Sequence, residues 1–202
     1  MEECTLRSMN CELNNLSMPD GSSIFMQGDT CVVASVYGPI EAKLQKMMHD
    51  KANIEVVFTP LNGPPSINDR HKELIIKEAC ASSLLVTLHP GTAISINVQE
   101  MDDKGGLLAC AINACCLALI NSSLPMKYTI AAVNCMIHKD SNEIIIDPDQ
   151  LQLEDAKATF TYAFDSMNKD LICCHTTGRF TQNELIESMD KCREITLSCP
   201  PF

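Results

Sequence analysis

The sequence is short of positive charge. It carries 15 lysines and arginines against 26 aspartates and glutamates, a formal net charge of −11. Long-range attraction to phosphate supplies much of the affinity of proteins for nucleic acid, and a chain this acidic lacks it. Contact with a polyanion would have to come from local basic clusters or from partners, and an acidic surface suits docking on basic neighbours. No Cys-x-x-Cys occurs among the twelve cysteines, which argues against the usual zinc pairs. No Gly-x-Ser-x-Gly nucleophile elbow is present. The opening residues, MEECTLRSMN, hold no apolar stretch of the kind found in a secretory leader. The longest nearly apolar run, Gly105 to Ile120, is shorter than the ~20 residues of a membrane span, and Asn113 interrupts it. A buried core helix is the better reading, and no membrane partner is expected.

What is present describes a folded core. Apolar residues make up 46% of the 202 positions and charged residues 20%, so disorder of the body is excluded and one domain is expected. Most cysteines have apolar neighbours: Val32 follows Cys31, Ala109 and Ala111 flank Cys110, and Met136 follows Cys135. Free cysteine packs as a small hydrophobe. Cys115–Cys116 and Cys173–Cys174 are adjacent pairs, poorly placed for disulfides. This usage points to a reducing compartment. Cys173-Cys174-His175 has the wrong spacing for a zinc pair, and a strand would turn the two thiols to opposite faces.

The pattern along the chain is α+β. Strands are expected at Leu6 to Leu13, Ser22 to Gln27, Thr30 to Tyr37 and Ile54 to Thr59, punctuated by Pro19-Asp20-Gly21-Ser22 and Gly28-Asp29 turns. A helix should begin near Asn68 or Asp69, with Leu74, Ala81, Leu85 and Leu88 on its apolar face, and stop at Pro90-Gly91. A strand at Thr92 to Gln99 leads into the all-apolar helix Leu107 to Ile120, which must be covered on every side. Strands follow at Tyr128 to Ile137, Glu143 to Ile146, Ala158 to Phe164 and Leu171 to Thr176. Thr181-x-x-Glu184 is a capping box for a last helix whose face holds Leu185, Met189 and Cys192. Residues 1–196 read as one domain and 197–202 as a short flexible tail.

Several blocks resemble the ribonuclease PH family. Leu6-Arg7, Cys11-Glu12-Leu13, Pro19-Asp20-Gly21-Ser22, Gln27-Gly28-Asp29-Thr30 and Val36-Tyr37-Gly38-Pro39 are similar to that family's opening strands and turns. Gly105-Gly106-Leu107-Leu108-Ala109-Cys110-Ala111-Ile112-Asn113-Ala114, Leu88-His89-Pro90, Leu124-Pro125-Met126 and Ile146-Asp147-Pro148 look like its eukaryotic RNA exosome ring subunits. The resemblance implies a ribonuclease PH-like fold of two βαβ-type halves with mixed sheets. It implies a six-membered ring of related subunits, cap subunits above, and RNA in the central channel. It also implies work in RNA decay and ribosomal RNA maturation, in nucleus, nucleolus and cytoplasm.

The catalytic pattern departs from that family. Active members hold phosphate with an arginine in Asp-Gly-Gly-Thr-Arg-Thr, at the start of the central helix. The aligned residues here are Lys104-Gly105-Gly106-Leu107-Leu108-Ala109, so Leu108 stands at the arginine position. A second basic position falls on Leu74, or on Arg70 or Lys72 if the register shifts. Losing one charged hydrogen-bonding partner costs roughly 1.5–3 kcal/mol, about ten- to a hundredfold in rate. The expectation is therefore a non-catalytic ring and RNA-channel subunit needing no cofactor. The alternative is a metal-dependent nuclease, acting free or as a homodimer, in which Asp147, Asp149, Glu154 and Asp155 gather Mg²⁺. Arg70, His71, Lys72 and Lys104 are the candidates for contact with RNA.

The cysteine reading has a direct check. Alkylation under denaturing conditions without reductant should label all twelve cysteines, as read by mass spectrometry. A persistent disulfide would overturn the compartment assignment.

Overall fold

The computed structural model describes residues 6–139 and 141–198. Two sheets are separated by helices, with a further helix on the outer face of the second. The first sheet runs in the order β1-β2-β3-β5-β4, with β1 Met9–Leu13, β2 Gly21–Gln27, β3 Thr30–Glu41, β4 Asn53–Thr59 and β5 Thr92–Asp102. The second runs β7-β6-β8-β9, with β6 Ile130–His138, β7 Ile144–Ile146, β8 Ala156–Asp165 and β9 Leu171–Gly178. The helices are α1 Ile67–Ser83, α2 Leu107–Asn121, α3 Gln150–Glu154 and α4 Gln182–Ser198. β4 and β5 are parallel and joined through α1, a true βαβ unit, whereas the pairs of the second sheet are all antiparallel. The α+β expectation describes this architecture.

The apolar run forms α2, and α2 is buried from Leu107 to Leu119. It packs on β2 and β3 on one side and on β6 on the other. Five of its six large aliphatics, Leu107, Leu108, Ile112, Leu117 and Leu119, lie in one core with Phe25, Val32, Ile54, Phe58, Ile94 and Ile96. At ~1.5–3 kcal/mol per fully buried aliphatic side chain, this single helix contributes on the order of 10 kcal/mol of gross burial. Asn113, the one polar break in the run, is satisfied. Its side chain accepts from Ala132 N at 2.8 Å and donates to Ala132 O at 3.0 Å. A second cluster joins Val133, Cys135, Phe160, Tyr162 and Phe164 to Cys192, Leu185 and Met189 of α4.

Most strand ends differ from the sequence reading by a few residues, as at β3, which runs on to Glu41, and β5, which runs on to Asp102. β1 starts at Met9. α1 ends at Ser83 and a 3-10 turn occupies Val86–Leu88, so the helix does not reach Leu88. Its buried face is Ile75, Ile76, Ala79 and Cys80, while Leu74 and Leu88 are exposed. The expected face followed leucines, but β-branched Ile75 and Ile76 turn to the sheet. α4 runs through residues 197 and 198 of the expected tail, and residues 199–202 lie outside those described. The ten cysteines among the described residues are free thiols.

Gly21 opens β2 where it passes the end of α2. A methyl group there would stand 2.5 Å from Ser122 N and closer still to the Ala118 carbonyl. Overpacking of this kind costs about 1–3 kcal/mol, so Gly21→Ala should lower the urea midpoint accordingly. An unchanged midpoint would show that β2 and α2 are free to separate.

Candidate functional site

The N-terminus of α2 is built by glycine. Gly105 and Gly106 have φ of +109° and +73°, a region L side chains rarely enter. Gly105 also lies so close to the Asp147-Pro148-Asp149 loop that a Cβ would meet Pro148 O at 2.7 Å. Thr30 Oγ1 donates to Gly105 O at 2.8 Å and accepts from Lys104 N at 3.1 Å. β3, the Gly-Gly turn and the loop after β7 thus form one assembly.

Arg7 closes it. Its backbone N–H and Nη2 both donate to Asp147, at 2.9 and 2.5 Å, and Nη1 donates to Asp149 at 3.1 Å. Nη2 also donates to Gly105 O at 3.1 Å. Burial works against the charged guanidinium. The hydrogen bond and charge of Asp147, followed by the charge of Asp149, outweigh it and raise the Arg7 pKa. Asp147 is held with φ +53° and its side chain is 1% exposed. Sequence reasoning quoted Arg7 only as part of a motif and gave it no role. The available signal was a lone arginine preceding the first strand of an acid-rich chain.

The structure does not gather the four carboxylates into one cluster. Mg²⁺ requires near-octahedral oxygen ligation, and both Asp147 oxygens already accept from Arg7. Asp149 caps α3 with Gln152 as well as meeting Arg7. Glu154 and Asp155 are exposed at the end of α3, where their backbone carbonyls accept from the Lys139 ammonium and backbone N–H. Among the described residues, no three His, Cys, Asp or Glu side chains are grouped to hold a metal ion.

The basic candidates separate in space. Lys72 is committed: its ammonium lies 3.1 Å from Asp69 Oδ1 and 5.0 Å from the centre of the Phe58 ring. His71 sits edge-on to His175 of β9, ring centres 5.3 Å apart, and burial followed by the His71 charge lowers the His175 pKa. Lys104 is half exposed, 3.8 Å from Asp102. Arg70 is exposed on α1. Lys104 therefore borders the Gly-Gly turn, while Arg70 faces a separate groove between α1 and β4.

Leu108 is 8% exposed and belongs to the central core. Leu74 lines the α1–β4 groove instead. An aliphatic side chain donates no hydrogen bond, and an apolar wall raises the cost of placing a dianion beside it. The arginine present, Arg7, already pairs with two carboxylates.

A Gly-Gly turn opening a central helix between two sheets is also the arrangement of a known class. Residues 5–125 match the RNase PH model, 3′ exoribonuclease family, domain 1. The chain belongs to this family. Within it, the chain is 35% identical over 164 residues to the exosome complex exonuclease RRP46 homolog of Oryza sativa subsp. japonica, covering 81% of this chain and 68% of that one. It is 29% identical to the exosome complex component RRP46 of Saccharomyces cerevisiae, covering 93% and 92%. The crystal structure of rice Rrp46 matches with a TM-score of 0.89 and 33% identity, over 96% of this chain and 91% of that one. An Archaeoglobus fulgidus exosome with RNA bound to the active site shares the fold, with a TM-score of 0.81 at 19% identity, over 96% and 88%. Among the described residues, no helix is long and apolar enough to cross a membrane.

The Arg7 clasp sets a stability test. Removing one partner of a buried ion pair costs about 3–5 kcal/mol, and partial exposure of Arg7 places Arg7→Ala at the lower end. Arg7→Lys should recover little, because an ammonium does not reproduce a fork shared between two carboxylates and a carbonyl. Denaturant melts of both variants check this. A loss below about 1 kcal/mol for Arg7→Ala would mean the clasp is dispensable.

Proposed function

We propose that the chain is a non-catalytic structural and RNA-channel subunit of an RNA exosome core ring. It supports 3′-to-5′ RNA processing and decay, ribosomal RNA maturation included. Its partners are other ribonuclease PH-like ring subunits, the cap subunits and RNA, and it works in nucleus, nucleolus and cytoplasm. The relatives named as RRP46 exosome components support the assembly. The observation that carries the non-catalytic reading is Leu108, buried in the core at the first turn of α2. Phosphorolysis needs cations around the incoming phosphate. The helix N-terminus offers only about half a positive charge, and Lys104 stands outside the turn as a flexible point charge. The pairing of Arg7 with Asp147 and Asp149 weighs against the metal-dependent alternative.

The test supplies purified chain with 3′-extended labelled RNA and inorganic phosphate, without metal. No nucleoside diphosphates should form, and the chain should co-purify from extract with ring subunits at equal stoichiometry. Diphosphate release lost in Lys104→Ala would show that the turn still binds phosphate productively.

A further inference from the structure

The first sheet ends in β1 and β4, and the second in β7 and β9. Along β6, the groups that β7 does not reach are covered from within the chain: Ile130 N donates to Cys116 Sγ, Ala132 exchanges two bonds with Asn113, and Asn134 O accepts from Asp147 N. β4 forms the far edge of the first sheet and pairs with β5 alone. Its Phe58 N–H is turned away from β5 and donates to Glu73 Oε1 at 2.9 Å. Backbone groups alternate along a strand, so the N–H groups of Ile54 and Val56 face the same way as that of Phe58. Among the described residues no partner meets them.

Edge strands are ordinarily guarded by proline, lysine, bulges or shortness. β1 is five residues long, β7 three, and the eight-residue β9 pairs with β8 through a register shift. β4 has seven residues, NIEVVFT, and pairs with β5 without a register shift. It holds neither proline nor lysine. Its edge forms the floor of a groove of about 480 Å³, walled by Lys46 and Met48 on one side and by Arg70, Leu74 and Lys77 on the other. Val57, Leu74 and Met48 each expose between 42% and 51% of their surface beside it. Lys46 is paired with Glu55. Arg70 and Lys77 have no carboxylate within ion-pair distance among the described residues, and the Glu73 carboxylate that lies between them in sequence accepts from Phe58 N–H instead.

We infer that β4 is a docking edge for an extended segment of another protein chain, which adds as a sixth strand beside Ile54 and Val56. Backbone bonds give such an addition its affinity, and alternate side chains give it specificity. The occupant places apolar side chains against Val57, Leu74 and Met48 and a carboxylate between Arg70 and Lys77. Regular unpaired amides favour a peptide over an RNA backbone, which offers phosphates for the two cations but no strand. The inference rests on the ring reading for the identity of the occupant as a neighbouring subunit.

Hydrogen exchange on the intact chain, free and in the reconstituted ring, tests it. On assembly, the Ile54 and Val56 amides should slow at least a hundredfold. Arg70→Glu combined with Lys77→Glu should lower affinity for the neighbouring subunit at least tenfold, leaving the thermal midpoint of the free chain unchanged. If the chain joins the ring while both amides exchange as before, strand addition is wrong and the ring reading stands. The same result with Arg70 crosslinking to RNA makes the groove a nucleic-acid surface instead. If the chain joins no ring, the inference and the reading beneath it both fall.

Discussion

A helix without a polar face must be enclosed, and the rest of the molecule is arranged around that requirement. α2 has no side of its own to give to solvent, so one sheet lies against it on each flank. Enclosure alone would leave unpaired backbone where β7 stops short of covering β6. Asn113 and Cys116 resolve this by projecting from the helix to the strand edge, at Ala132 and Ile130. The helix thereby supplies both the apolar mass and the polar groups that an adjoining strand would have offered. Replacing either function separately would leave buried donors unmet, which costs about 1–3 kcal/mol each.

Charge is distributed by the same economy of place. A chain with few cations uses Arg7 at the junction of the Gly-Gly turn and the Asp147 loop, where one guanidinium pairs with two carboxylates. Lys72 serves Asp69 and the Phe58 ring, and Lys157 serves Glu184. That last pairing, with the Thr181 N–H, lowers the Glu184 pKa to about 2. Because the folded value lies below the ordinary carboxylate range, the contribution is present above about pH 4.5 and fades as pH falls towards 2. Arg70 and Lys77, which have no ion pair among the described residues, line the α1–β4 groove.

Much of the fold was legible in the sequence. The β2–β3 hairpin was marked by Gly28-Asp29, α2 by its apolar run and α4 by Thr181-x-x-Glu184, because each signal is local. The face of α1 was not legible, since leucine spacing and isoleucine spacing both fit a helix and only the sheet selects between them. α3 was missed although Asp149-x-x-Gln152 carries its capping signal; five residues give too short a period to recognise. At the site, the Gly-Gly turn and the place of Leu108 on the first turn of α2 were legible, because the motif is local. The engagement of Asp147 was not, because it depends on a contact between residues 140 positions apart.

That separation has a consequence for how the protein comes into being. A chain leaving the ribosome at roughly 5–20 residues per second presents Arg7 many seconds before Asp147 exists. Over this interval β1 to β5 and α2 are complete in sequence, yet Asn113 has no β6 backbone to meet and the Gly-Gly turn has no Asp147 loop to rest on. The first sheet can be assembled during synthesis, but its helix stays half uncovered until the second sheet emerges. The nascent chain is therefore most prone to sticking between the appearance of Asn121 and that of Gly178, where the second sheet is complete, and a chaperone that shields apolar helices has its window there.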